Sequence, residues 1–297
     1  MLIRSPRKAE ERVAMGIKGC GIMGCSIDAT NMKLDSLREY VRMVAREYVN
    51  CLFIFGEGGI GKTETILRTL EEEKVKAIYL NGVVTPLELY NMLYEHNGEL
   101  IVFDDIEGVL DNHRAVSFLK AAIYGYKDKR VLCYPTNSHL LRAPEAFEFT
   151  GRIILCMNRF PQNPDLESLY KRTIHFELKL KLDEKIALFR DIALIDYDGI
   201  NLEERKEVCE FLISRICIAT KDVCLRDLFR SFSIYKYNKK NWKQLINLLI
   251  ETDSDVNAYL KVIKIEGSIS RQVRSFAELT GKSRSSFFRI KNKLKDI

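Results

Sequence analysis

The sequence predicts an α/β protein: a three-layer αβα core on a parallel sheet, then an α-helical segment and a small C-terminal pair of helices. Three observations predict it. Short apolar runs of strand length, Cys51 to Phe55, Leu100 to Phe103 and Ile153 to Met157, alternate with helical patterns. Such alternation is the signature of a parallel sheet with both faces covered. After Lys181 the strand-like runs stop and longer stretches of helical spacing follow. Finally, residues 253–297 hold ten Lys/Arg against five Asp/Glu and end in a helix, turn, helix pattern.

Residues 1–33 show no clean periodicity and carry glycine at 16, 19, 21 and 24, which reads as an arm of unassigned role. Leu34, Leu37, Val41 and Val44 repeat at helical spacing, so residues 34–49 form an amphipathic helix. Cys51 to Phe55 is a buried strand, 56–61 a loop and 62–73 a helix. Lys76 to Leu80 is a strand. Thr85 caps a helix over 86–96 that opens on Pro86. A strand at Leu100 to Phe103, a helix from Arg114 to Ile123, and strands at Arg130 to Tyr134 and Arg152 to Met157 complete the first part. Helices are expected at 183–191, 202–218, 225–232 and 241–250. These divisions give a core at 34–181, a helical lid at 182–252 and a basic segment at 253–297.

The loop after the first strand reads Gly56-Glu57-Gly58-Gly59-Ile60-Gly61-Lys62-Thr63. It matches G-x-x-x-x-G-K-[ST] with the required strand before and helix after, the phosphate-binding loop of ATP- and GTP-binding proteins. Glycines let the backbone curl so that its N–H groups face an anion. The helix then presents its positive end. Gly56 to Thr63, with Glu64 beside them, are the expected nucleotide-binding residues. Lys62 is expected to reach the β- and γ-phosphates, and the Thr63 hydroxyl to ligate Mg²⁺. A GTPase is disfavoured, since no N-K-x-D motif follows.

Leu100-Ile101-Val102-Phe103-Asp104-Asp105 is an apolar strand ending in two carboxylates. Asp104 is expected to hold Mg²⁺ through water, and Asp105 to orient or deprotonate the attacking water. Glu107 is the nearby substitute if Asp105 is too short to reach.

With these motifs in order, residues 34–250 resemble the AAA+ P-loop ATPases. The resemblance implies roles for three further residues. Asn158, ending the strand Ile153 to Met157, matches the polar sensor 1 position. Arg172, in Leu166-Glu167-Ser168-Leu169-Tyr170-Lys171-Arg172, matches the arginine finger that one subunit offers to the next. Arg226, in Cys224-Leu225-Arg226-Asp227-Leu228, matches the sensor 2 position of the lid. Each has a plainer reading as a turn residue or surface charge. The stretch Ala146-Phe147-Glu148-Phe149-Thr150-Gly151-Arg152-Ile153-Ile154 looks like AAA+ ATPases of phages and mobile elements. The Gly-Gly-Ile-Gly-Lys-Thr core also occurs in nucleotide-switched regulators of the STAND group, which usually carry large repeat domains.

The net charge of +6 is uneven: +5 in residues 253–297, +3 in 1–33 and −2 between them. A basic end on a near-neutral body points to an anionic partner. Residues 273–290 resemble a helix-turn-helix, with Ala277 at the close crossing, Gly281 at the turn, Ser283 as N-cap and Phe287 and Ile290 as core. Thr280 departs from the pattern, which usually has an apolar residue there. Arg284, Ser285, Ser286 and Arg289 would then face a DNA major groove, and Lys291, Lys293 and Lys295 the phosphates. A protein partner for this segment remains the alternative.

Of the eight cysteines, Cys51, Cys133 and Cys156 lie in or beside strands, where a free thiol acts as a small apolar group. Cys20 and Cys25 lack a second pair of ligands for a metal site. No apolar run spans a membrane and no signal peptide opens the chain, so a cytoplasmic location is expected. Together these readings lead to a cytoplasmic AAA+ ATPase that uses ATP and Mg²⁺, forms an oligomer and binds DNA. Its setting would be replication initiation, helicase loading or mobile-element maintenance, with a helicase or other replication protein as a further partner. The alternative is a nucleotide-switched regulator with slow hydrolysis.

Overall fold

The computed structural model describes residues 29–125, 129–159, 167, 169–171, 173–217, 219–250, 252–264 and 268–294. Cys20, Cys25, the first 28 residues of the arm, Arg172 and Lys295 lie outside the described residues, as do the side chains of Glu107 and Lys293. The chain divides between Lys179 and Leu180 into two units.

The first unit is built on five parallel strands in the order β2-β3-β6-β1-β7. They are β1 (Cys51–Gly56), β2 (Ala77–Asn81), β3 (Leu100–Asp104), β6 (Arg152–Met157) and β7 (Ile174–Leu178). β1, β3 and β6 form the middle, and nearly all their side chains are buried. This is why they read as unbroken apolar runs. Helices cover the sheet: α1 (Ala29–Ala45), α2 (Lys62–Glu72), α3 (Pro86–Glu95), the short α4 (Glu107–Leu110) and α5 (His113–Ile123). α1 buries Leu37, Val41 and Val44 completely, the stripe its periodicity predicts. Thr85 and Asn112 cap α3 and α5 with their side-chain oxygens.

Two expectations need correction. Arg130 to Tyr134 does not join the parallel sheet. Its strand, β4 (Val131–Cys133), pairs antiparallel with β5 (Ala146–Glu148) in a separate hairpin. The alternation explains it: Val131 and Cys133 are exposed and only Leu132 is buried, so the strand has one wet face. The long connection of this hairpin is held to α3. Asn91, fully buried, donates to Leu140 O and accepts the backbone N–H groups of Arg142 and Ala143. The neighbouring Tyr90 hydroxyl bonds the carbonyls of Pro144 and Glu145. β7 is the second correction, since no strand was expected there. Its sequence Ile-His-Phe-Glu-Leu alternates because it is an edge strand.

The second unit is helical from α6 (Leu182–Leu194) through α7 (Leu202–Arg215), α8 (Leu225–Tyr237) and α9 (Trp242–Leu249). Asn201 and Glu204 form a reciprocal cap at the start of α7. The last three helices, α10 (Ser254–Val262), α11 (Ile269–Thr280) and α12 (Arg284–Lys293), share a core of Val256, Tyr259, Val262, Phe276, Phe287 and Ile290. α10 was not expected as a helix, though Asp253 caps it in the usual way. Gly281 ends α11 at φ +69°, a left-handed C-cap that glycine takes without strain. The Thr280 hydroxyl bonds Phe276 O and receives Lys282 N–H, which gives this polar residue its place in the turn. No described helix is long and apolar enough to cross a membrane.

Candidate active site

β1, β6 and β3 stand side by side and run the same way. The segments that leave their C-terminal ends therefore meet at one rim of the sheet, where ligands of such folds bind. Register fixes the meeting: Phe55 lies opposite Met157, and Asp104 opposite Cys156.

β1 ends in Gly56, whose φ is +155°. A Cβ there would stand 2.1 Å from the carbonyl oxygen of Leu178 on β7. Only glycine lets the chain leave the strand at this point. Gly56→Ala is therefore expected to cost at least about 2 kcal/mol, combining a backbone clash with a left-handed φ. That predicts a thermal midpoint about 4–8 °C lower. Gly108→Ala is the control, because a Cβ there meets nothing within 4 Å. Equal midpoints for the two variants would contradict the assignment.

The loop continues with Gly59 and Gly61 at φ +73° and +90°, and Ile60 anchors it by burying its side chain. Gly61 is the N-cap of α2 and has no side chain with which to cap that helix. The first N–H groups of a helix are the kind of donor that suits an anion. Glu57 and Glu64 turn outward, and Glu64 pairs with Arg68.

Lys62 is buried, and its ammonium donates to Gly56 O at 2.7 Å, Glu57 O at 2.7 Å and Asn158 Oδ1 at 3.3 Å. The Thr63 hydroxyl donates to Asp104 Oδ2 at 3.0 Å. Asn158 Nδ2 donates to Asp105 Oδ1 at 2.6 Å, so this one amide touches both Lys62 and Asp105. Asp105 has φ +53°, and its N–H bonds Cys156 O at 3.0 Å. Asp is among the few residue types that tolerate this backbone region, and the turn aims its carboxylate out of the strand.

The structure thus brings Lys62, Thr63, Asp104, Asp105 and Asn158 together. Glu107 opens α4 just beyond Asp105. Arg226 is an exposed residue in the first turn of α8, in the second unit. Arg284, Ser285 and Arg289 are exposed on α12, and Ser286 is partly buried. Ser283 is the N-cap residue of α12, as expected, but its side chain makes no hydrogen bond to the helix backbone. Its hydroxyl bonds those of Ser285 and Ser286 instead.

Two residues at this rim were not foreseen. The Tyr79 hydroxyl donates to Asp104 Oδ2 at 2.5 Å, the oxygen that Thr63 also uses. The Cys156 thiol lies 3.9 Å from Thr63 Oγ1. Burial, and then the nearby Asp104 carboxylate, push its pKa up, so the thiol stays protonated. Only strand order could have revealed Tyr79. In the register Tyr79 opposite Val102 and Asn81 opposite Asp104, all four side chains share one face.

The hydroxyl of Thr63 and the carboxylate of Asp104 are hard oxygen donors of the kind Mg²⁺ takes. The glycine loop, the helix start and Lys62 suit the phosphates of a nucleotide. The residues present therefore fit a Mg-nucleotide.

No family model matches this sequence, and no curated protein matches it. Solved structures do share its fold. A mutant of RuvB from Thermotoga maritima aligns over 88% of this chain and 87% of that one, at 12% identity and a TM-score of 0.51. Weaker likeness extends to a DNA replication initiation factor, with 15% identity, 91% and 84% coverage and a TM-score of 0.45. Cdc6p from Pyrobaculum aerophilum gives 12% identity, 94% and 88% coverage and a TM-score of 0.45. At this identity the likeness to RuvB speaks for the fold.

Proposed function

We propose that this chain binds ATP with Mg²⁺, hydrolyses it, and acts on DNA in replication initiation, helicase loading or the maintenance of a mobile element. The observation that carries the proposal is the Lys62–Asn158–Asp105 chain beside the Thr63–Asp104 pair at one rim of the sheet.

In this reading Gly56 to Glu64 cradle the triphosphate, and Lys62 neutralises its outer phosphates. Bound Mg²⁺, held by Thr63 and Asp104, would offset charge on the phosphate oxygens. Asp105 orients the attacking water and takes its proton, with Glu107 as the nearest alternative carboxylate. Asn158 holds Asp105 in place. Arg172 and Arg226 complete the charge stabilisation, Arg172 from a neighbouring subunit of an oligomer. Duplex DNA lies against α12, which offers Arg284, Ser285, Ser286 and Arg289. The basic charge of residues 253–297 supports that surface.

The test is the ATPase rate of the full chain, with and without single- and double-stranded DNA, across protein concentration and salt. DNA should raise the rate, and salt should abolish the rise. Binding should weaken by roughly one log unit per log salt for each phosphate contacted. Arg284→Ala with Arg289→Ala should flatten that slope. Turnover unaffected by DNA, together with salt-independent binding, would sink the DNA reading. Tight Mg-nucleotide binding with no turnover would leave the slow regulator.

A further inference from the structure

We infer that Tyr79 is a positioning residue of the metal site, fixing the Asp104 carboxylate in the orientation that serves a divalent cation. The inference rests on the nucleotide reading above, which gives Asp104 that duty.

Asp104 ends β3 with 8% of its surface exposed. A carboxylate turns readily about its last torsion, so burial alone does not set its plane. Here Oδ2 accepts two hydroxyls, from Thr63 on α2 and Tyr79 on β2. The two donors differ in their other obligations. Thr63 is itself a proposed ligand of the cation, so its bond to Asp104 is tied to the loop. Tyr79 stands on the neighbouring strand, outside the glycine loop. It ties the carboxylate to the sheet.

Geometry makes this a task for tyrosine. Asn81 lies directly opposite Asp104, and Tyr79 is two residues earlier on the same face. A diagonal neighbour on the same face of a parallel pair is within reach of a long aromatic side chain, and the hydroxyl meets the carboxylate. Asn81 Nδ2 donates to the Tyr79 oxygen at 3.4 Å, which leaves the hydroxyl proton for Asp104. The Tyr79 side chain is partly exposed, and removing its hydroxyl alone leaves the packing of the ring in place.

Partners that orient a metal ligand typically carry about 10–100-fold in metal affinity or activity. The experiment titrates a fluorescent ATP analogue against the full chain, from EDTA to saturating Mg²⁺. For Tyr79→Phe, half-saturating Mg²⁺ should rise by about tenfold. The affinity in EDTA should stay at the wild-type value, and the loss of one hydrogen bond should lower the thermal midpoint only slightly. In an Asp104→Asn background the same change should have no further effect, as expected of two residues acting through one contact. A Mg²⁺ dependence equal to wild type, equal weakening in EDTA, or a full effect without Asp104 would each overturn the inference. A wild-type chain that binds no nucleotide at all would overturn the underlying reading, and this inference with it.

Discussion

Lys62→Met is expected to weaken Mg-ATP binding by at least about 100-fold in calorimetry while the fold persists. The lysine is buried beside the loop with three acceptors around its ammonium. Its charge is therefore delivered to one place rather than spread through solvent. A hydrogen bond to a charged partner contributes about 1.5–3 kcal/mol. Two such bonds to phosphate oxygens convert to roughly two to four decades in affinity. Methionine keeps the aliphatic stem and its packing, so a loss of binding cannot be ascribed to a cavity. The carbonyls of Gly56 and Glu57 would lose a donor, and a small drop in thermal midpoint should accompany the change. Affinity within about threefold of wild type, a difference under 1 kcal/mol, would remove Lys62 from the nucleotide site and the proposed function with it.

Phe287→Ala should unfold the three C-terminal helices and abolish DNA binding while Mg-ATP binding survives. Phe287 is buried at the centre of their core, its ring 5.0 Å from Tyr259 and 5.6 Å from Phe276. Truncating such a residue costs about 3–5 kcal/mol. A core supplied by three short helices rarely holds more than that in reserve. Limited proteolysis should cut within residues 253–297, fluorescence anisotropy should show DNA affinity gone, and the nucleotide titration should match wild type. DNA binding that survives cleavage of this segment would place the DNA surface elsewhere.

What was legible in the sequence follows from how much each residue depends on distant partners. β1, β3 and β6 were readable because strands buried on both faces are apolar throughout, and burial alone dictates them. Asp104 and Asn158 were visible as polar residues ending apolar runs. β7 was not, and β4 was read as a strand but placed in the wrong sheet, because each has a wet face and its pairing is set by neighbours far along the chain. Tyr79 was hidden for the same reason. Nothing in Ala-Ile-Tyr-Leu-Asn distinguishes it until β2 is known to lie beside β3. The C-terminal helix α10 was obscured by its mixed composition, though Asp253 could have announced it.

The connection of the β4–β5 hairpin has a consequence for recognition. Segments without regular structure are usually the softest part of a fold, and they pay an entropic penalty on meeting a partner. This one is bolted to α3 by the Asn91 amide, the Tyr90 hydroxyl and the Arg142 pairs with Glu88 and Glu95. The bonded backbone runs from Leu140 to Glu145, so this part of the connection is held to one contour, and a partner meeting it would find less chain entropy to overcome.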